Sequence, residues 1–149
     1  MKNTQAENEA HERMKPGSIT AQGFLGSDTR SIADIVQSDT EAFRRAGVDT
    51  DQAADFLERL RDAGQKGLGE PTGVDGRYVV TVGDARGLLP CPFQDGTFHK
   101  NSIEAVDERS GARIVYSDLS IHLLRIHRFC QGTGSPFRLD PAVIAGMMA

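Results

Sequence analysis

Read for hydrophobic periodicity, the chain divides near its middle. Ser31 can cap a short helix with Ile32, Ile35 and Val36 at helical spacing, and "TEAFRRA" predicts a second short helix stopped by Gly47. The clearest helix follows Thr50: Ala53, Phe56, Leu57, Leu60 and Ala63 recur three and four apart, Asp51 suits the start and Gly64 the end. From Gly64 to Gly76 the chain is glycine-rich and reads as a connector. Beyond it the period shortens. "RYVVTV" at 77–82 predicts a strand, and runs of about 97–106 and 112–117 around "DERSG" predict a hairpin.

The final elements return to helical spacing. Ser117 or Asp118 can cap a helix reaching about Cys130 and stopped by Gly132, with Leu119, Leu123, Ile126 and Cys130 on one apolar stripe. "GTGSPFRLDP" reads as a loop, and a frayed helical turn is expected over 142–148. Residues 1–17 are polar, end in Pro16-Gly17 and carry little apolar surface, which predicts a disordered tail. The expectation is an α+β fold. A helical part at 18–66 precedes an α+β part at 77–149, the whole of 18–149 forming one domain with a small antiparallel sheet.

Composition narrows the class without naming a function. The 149 residues are 38% apolar and 26% charged, with no tryptophan and no apolar run approaching the roughly 20 residues that cross a bilayer. No membrane association is expected, and the lack of an apolar leader points to a cytoplasmic protein whose two cysteines, Cys91 and Cys130, are free thiols or metal ligands. The net charge of −4 comes from residues 1–70, where 9 Lys/Arg face 13 Asp/Glu. A nucleic-acid-binding face would be basic. Only Arg125, Arg128 and Arg138 offer such a patch, and they are the candidate anion site, beside the glycine-rich "GTGSPFR".

The candidate chemistry is a cysteine and two histidines. Cys91 stands in "CPFQDGTFHK" between two strand-like runs, and His122 and His127 stand five apart on the following helix, about 140° apart around its axis. They can share one ion only if the helix changes pitch near its end. The order of parts resembles the C2H2 zinc finger, in which a Cys-x2-Cys knuckle and an H-x(3–5)-H helix hold a ββα unit around zinc. That resemblance implies Cys91, His122 and His127 as zinc ligands. It departs at the second cysteine, where this chain has Gln94, so Asp95, His99, Cys130 or a water is left to complete the set.

A second resemblance covers most of the chain. "GFLGSDTR", "CPF", "YSDLSIHLLRIHRF" and "GTGSPFRLDP" look like a set of small bacterial proteins with a CPF-x-H, H-x4-H and G-x-GSPFR-x-(D/E)-P series. The residue four after the cysteine is often histidine in that set. This chain has Asp95 there, and the resemblance implies Asp95 as fourth ligand while bringing no assigned activity.

Three functions are open on the sequence. With four protein ligands the site is closed, and the protein is a non-enzymatic, zinc-stabilised or structural interaction module for an unknown protein partner. With three and a water, a metal-dependent hydrolase or nuclease results, Asp95 or Asp118 serving as base and Arg128 or Arg138 holding phosphate. Nucleic-acid binding through Ser117, Ser120 and Leu123 of the finger-like helix ranks below both, because that helix has no basic start.

Overall fold

A computed structural model describes residues 2–149 and has helices α1 (Gln5–Arg13), α2 (Ile32–Arg45), α3 (Thr50–Gln65), α4 (Asp118–His127) and α5 (Pro141–Met148). The strands are β1 (Thr72–Val74), β2 (Tyr78–Pro90), β3 (Thr97–Asp107) and β4 (Arg113–Tyr116). They form one antiparallel sheet in the order β1-β2-β3-β4. The α+β class is as expected.

The principal core lies between α3 and the sheet. Leu57 and Leu60 of α3 meet Val80, Val82, Ile103, Ala105 and Tyr116, and α4 adds Ile121 and Leu124. Gly64 does not stop α3, as the sequence reading had it; the helix runs on to Gln65. A Cβ at Gly64 would come 2.5 Å from Val80 Cγ1, so glycine there sets how closely helix and strand approach. The Tyr116 hydroxyl donates to the Leu57 carbonyl at 2.7 Å and ties sheet to helix inside this core.

The two short helices expected between Ser31 and Gly47 are one, α2. The polar stretch "QSDT" looked like a break, but it is a single turn in which Asp39 faces inward and accepts from Arg138 Nη1 and Nη2 at 2.9 and 2.8 Å. Strand β1 forms within the stretch read as a connector.

The segment 1–17, expected as a disordered tail, instead carries α1; Met1 lies outside the described residues. Thr4 and Glu7 form a reciprocal capping box, and Ala10 and Met14, one turn apart, are fully buried. Arg13 Nε donates to the Pro92 carbonyl at 2.5 Å. Local caps and two small apolar contacts order a stretch whose composition is otherwise that of a tail.

A second core forms around α1. It gathers Ala10, Met14, Phe24, Leu25, Ile32, Ile35, Cys91, Leu119, Leu123 and Phe129. The predicted stripe on α4 therefore splits: Leu119 and Leu123 serve this core, Cys130 lies in the principal one, and Ile126 is 56% exposed; Ile121 and Leu124, outside the stripe, are the helix's contribution to the principal core. Gly132 meets the Phe24–Leu25 backbone so closely that a Cβ would fall 2.1 Å from the Leu25 carbonyl oxygen, with Gly132 N–H donating to Phe24 O at 2.8 Å. That contact joins "GFLGSD" to "GTGSPFR".

Candidate metal centre

The hairpin of β2 and β3 carries one half of the site at its tip. Its register breaks between Asp84 and Leu88, where three residues of β2 stand against Lys100 alone, and Gly87 takes φ 103°. Pairing then resumes through Leu88↔His99, Leu89↔Phe98 and Pro90↔Thr97, which brings "CPFQDG" to the end of α4. The loop is closed by its own backbone: Cys91 N–H donates to Gly96 O at 2.9 Å and Gln94 N–H to Cys91 O at 2.8 Å. Gln94 adopts φ 62° and is exposed, so the residue that would be the finger's second cysteine turns outward.

Helix α4 carries the other half. Ser117 and Ser120 cap its start reciprocally, and Asp118 N–H donates to Asn101 Oδ1 at 2.9 Å, which seats the helix against β3. It was expected to reach about Cys130, but it ends at His127. Arg128 takes the left-handed conformation, φ 55°, its N–H bonding Leu124 O at 3.1 Å and Phe129 N–H bonding Leu123 O at 3.0 Å. His127 is thus the last residue of the helix.

The two imidazoles meet on one carboxylate. His122 Nε2 lies 2.9 Å from Asp95 Oδ1 and His127 Nε2 lies 2.8 Å from Asp95 Oδ2, while Cys91 Sγ is 3.8 Å from His127 Nε2. One ligand atom each from Cys91, Asp95, His122 and His127 lies within 4.8 Å of the others, and the cluster could hold a metal ion. Tetrahedral zinc, with bonds of about 2.0–2.3 Å, spaces its ligand atoms about 3.3–3.6 Å apart. The distances in the protein straddle that spacing, so sub-ångström to roughly one-ångström side-chain shifts would suffice.

Cys91 is buried, the histidines are half-buried and Asp95 is exposed. Burial, and then the neighbouring Asp95 carboxylate, push the Cys91 thiol up to about 12. Burial works against the Asp95 carboxylate as well, but hydrogen bonds from Cys91, His122 and His127 outweigh it and hold Asp95 below the usual carboxylate range.

Two aromatic rings complete the setting, and neither was singled out from the sequence. Phe93 stacks on His127 at 4.1 Å between ring centroids, itself edge-on to Phe129 at 6.3 Å, and Phe98 leans on His122 at 4.4 Å. They fix the imidazole planes from the hairpin side. The signal was present in the spacing "CPF…TF", which puts an aromatic two residues and seven residues after the cysteine.

The remaining candidates fall elsewhere. His99 pairs with Asp84 at 3.5 Å along the hairpin, and Cys130 is buried in the principal core among Tyr116, Leu124 and Leu139. The arginines do not form the anion patch expected of them. Arg125 binds Glu58 and Asp55 at 2.7 and 2.8 Å, Arg128 binds Asp51 at 2.7 Å, and Arg138 is held by Asp39 and the Gln131 carbonyl. Each guanidinium is met by a carboxylate of the acidic helices: Arg125 and Arg128 fasten α4 and the residue after it to α3, and Arg138 fastens its loop to α2. No family model matches the chain, and comparisons with curated proteins and with solved structures return no match.

Proposed function

We propose that the protein is a non-enzymatic, zinc-stapled interaction module of the cytoplasm. The observation that carries this reading is the convergence of Cys91, Asp95, His122 and His127 from a hairpin tip and a helix end. An ion bound there would cross-link two elements otherwise joined by Leu89, Leu119, Leu123 and Phe129 in the smaller core. Sulfur, two imidazoles and one carboxylate suit zinc, and four protein ligands leave no position for a substrate or water. In that sense the C-terminal part works as a ββα zinc unit in which Asp95 replaces the second cysteine and β4 is inserted before the helix. The chain then resembles the small bacterial proteins named above in its ligand series.

The ion would hold Cys91 as thiolate, and the chain's own residues would supply the rest: Asp95 neutralising charge, Phe93 and Phe98 orienting the rings, and the Cys91–Gly96 backbone closure setting the knuckle. The hydrolase or nuclease reading is less well supported. Arg128 and Arg138, its phosphate-holding groups, are committed to Asp51 and Asp39, and Asp118, one of its possible bases, is committed to Arg61 at 2.9–3.0 Å. Nucleic-acid readout is disfavoured too, because Ser117, Ser120 and Leu123 are all buried. A protein partner is the reading that remains. The cytoplasmic assignment rests on two free thiols in separate cores, and among the described residues no helix is long and apolar enough to cross a membrane.

The experiment is elemental analysis of freshly purified protein with thermal melts with and without chelator. About one zinc per chain is expected, lost in Cys91→Ser and His127→Ala, with chelator lowering Tm of the parent only. Protein free of metal that melts identically with added zinc and with chelator would defeat the proposal.

A further inference from the structure

Beside Phe24 and Leu119 of the smaller core lies a cleft of about 480 Å³ that includes none of the metal cluster. Its walls are largely apolar: Ile19, Phe24, Leu89, Leu119, Pro136 and Phe137 bring together the segment before α2, the hairpin, α4 and the "GTGSPFR" loop. Such a volume lies in the range of small-molecule sites, which pair apolar walls with a few convergent polar groups.

Among the polar residues of the lining, Lys100 and Gln131 stand out. Lys100 is the one charged residue in the lining, although the chain as a whole is acidic, and among the described residues it makes no ion pair or hydrogen bond. Gln131 is 5% exposed, adopts φ 68° and has its Oε1 fixed by the Ser135 hydroxyl at 2.6 Å. With Oε1 so occupied, Nε2 is a donor without a partner among the described residues, on a side chain that lines the cleft. Among the described residues no buried side-chain nitrogen or oxygen lacks a partner, so Nε2 reaches solvent at the cleft, and a ligand that displaces that water must accept from it.

We infer that this cleft binds a small monocarboxylic acid with an apolar or aromatic body, its carboxylate accepting from Gln131 Nε2 and facing the Lys100 ammonium. The apolar body displaces water from Phe24, Leu89, Leu119 and Phe137. An amine would meet Lys100 with like charge and a fully apolar molecule would leave Gln131 unpaired, so the lining selects the anion. None of the four metal-cluster residues lines the cleft, so this inference stands or falls apart from the zinc reading.

The test uses 4-phenylbutyrate and its primary amide, which share one apolar body and differ in the head group, where a neutral NH2 replaces one carboxylate oxygen. Both are titrated into ¹⁵N,¹³C-labelled protein, parent and Lys100→Met, with the metal content left as purified. Binding on the order of 0.1–1 mM is expected for the carboxylate. The Gln131 side-chain amide and the Leu89 and Leu119 methyl resonances should move, and those of Ile144 in the principal core should not. The amide should bind about fivefold more weakly to the parent, and Lys100→Met should erase that preference. Lys100 is exposed and unpaired, so its loss leaves the fold intact. Equal affinity of the parent for acid and amide, or unmoved Gln131 and Leu119 resonances at millimolar acid, would overturn the inference.

Discussion

Around Leu60 the chain buries 20 residues between α3 and the sheet, whereas around Cys91 it buries 10, gathered from α1, α2, two loops, the hairpin tip and α4. The first set contains long strands, a regular helix and large side chains, and hydrophobic burial of roughly 1.5–3 kcal/mol per large residue closes it. The second has half as many members, several of them on irregular backbone. It is held instead by backbone contacts at Gly132, by Arg13 on Pro92, and by the cluster of Cys91, Asp95, His122 and His127. Where a core is too small to close by burial alone, polar and metal-ligating groups take over part of the work. Helix α4 belongs to both cores, and so couples them.

The largest effect should come from the principal core and be blind to metal. Leu60→Ala removes a fully buried side chain against Val80 and should cost about 2–5 kcal/mol, measured by denaturant unfolding, equally with and without zinc. Comparable in size is Arg138→Ala, which strands the buried Asp39 of α2 and should cost about 3–5 kcal/mol; a charge-free Asp39→Asn/Arg138→Met double variant should recover part of it.

The smaller core should respond to zinc instead. Asp95→Ala should abolish the zinc-dependent part of the melting temperature, worth about 3–4 kcal/mol when zinc is several hundredfold above its Kd, while Gln94→Ala leaves it in place. The reverse outcome would mean that the finger-like position, not Asp95, faces the ion. Apparent zinc affinity should also rise with pH. The Cys91 thiol, pushed up to about 12, is protonated in the metal-free protein near neutrality, and binding must release that proton. One released proton gives about a tenfold gain per pH unit, which competition with a chromogenic chelator would read.

Smaller still is the acid limb of the metal-free protein. Asp28, paired with Arg30, and Asp107, paired with Arg77, both hold pKa values below the ordinary carboxylate range, mainly through those arginine hydrogen bonds. A depressed folded-state pKa contributes stability above the unfolded value near about 4 and loses it as pH falls through the folded one. Unfolding should therefore set in below the ordinary carboxylate range, and Arg77→Met should move it to higher pH.

The helix of Thr50–Gln65 and the strand around Val80 were legible because period and burial coincide there: each apolar position in "DQAADFLERL" and "RYVVTV" has one face to fill. Cys91, His122, His127 and Asp95 were legible as residue types at a suggestive spacing. Their convergence was not, because it depends on the bulge at Asp84–Leu88 and on α4 ending at His127 through a left-handed Arg128, a position where glycine would have advertised the stop. Helix α1 was hidden for a related reason: Ala10 and Met14 are two small contacts in a polar segment, and the surface that buries them comes from distant parts of the chain. The three arginines misled in the same way, since their partners Asp51, Glu58 and Asp39 lie on other helices.

Amide hydrogen exchange, followed residue by residue in zinc-loaded and chelator-treated protein, tests the zinc staple most directly. On zinc removal, exchange should be faster at the amides of Cys91, Gln94, Arg128 and Phe129, which close the knuckle and the end of α4, with the amides of Val80 and Ile103 in the central strands unchanged. Identical protection of Cys91 and Phe129 in the two states, with zinc bound or absent, would contradict it.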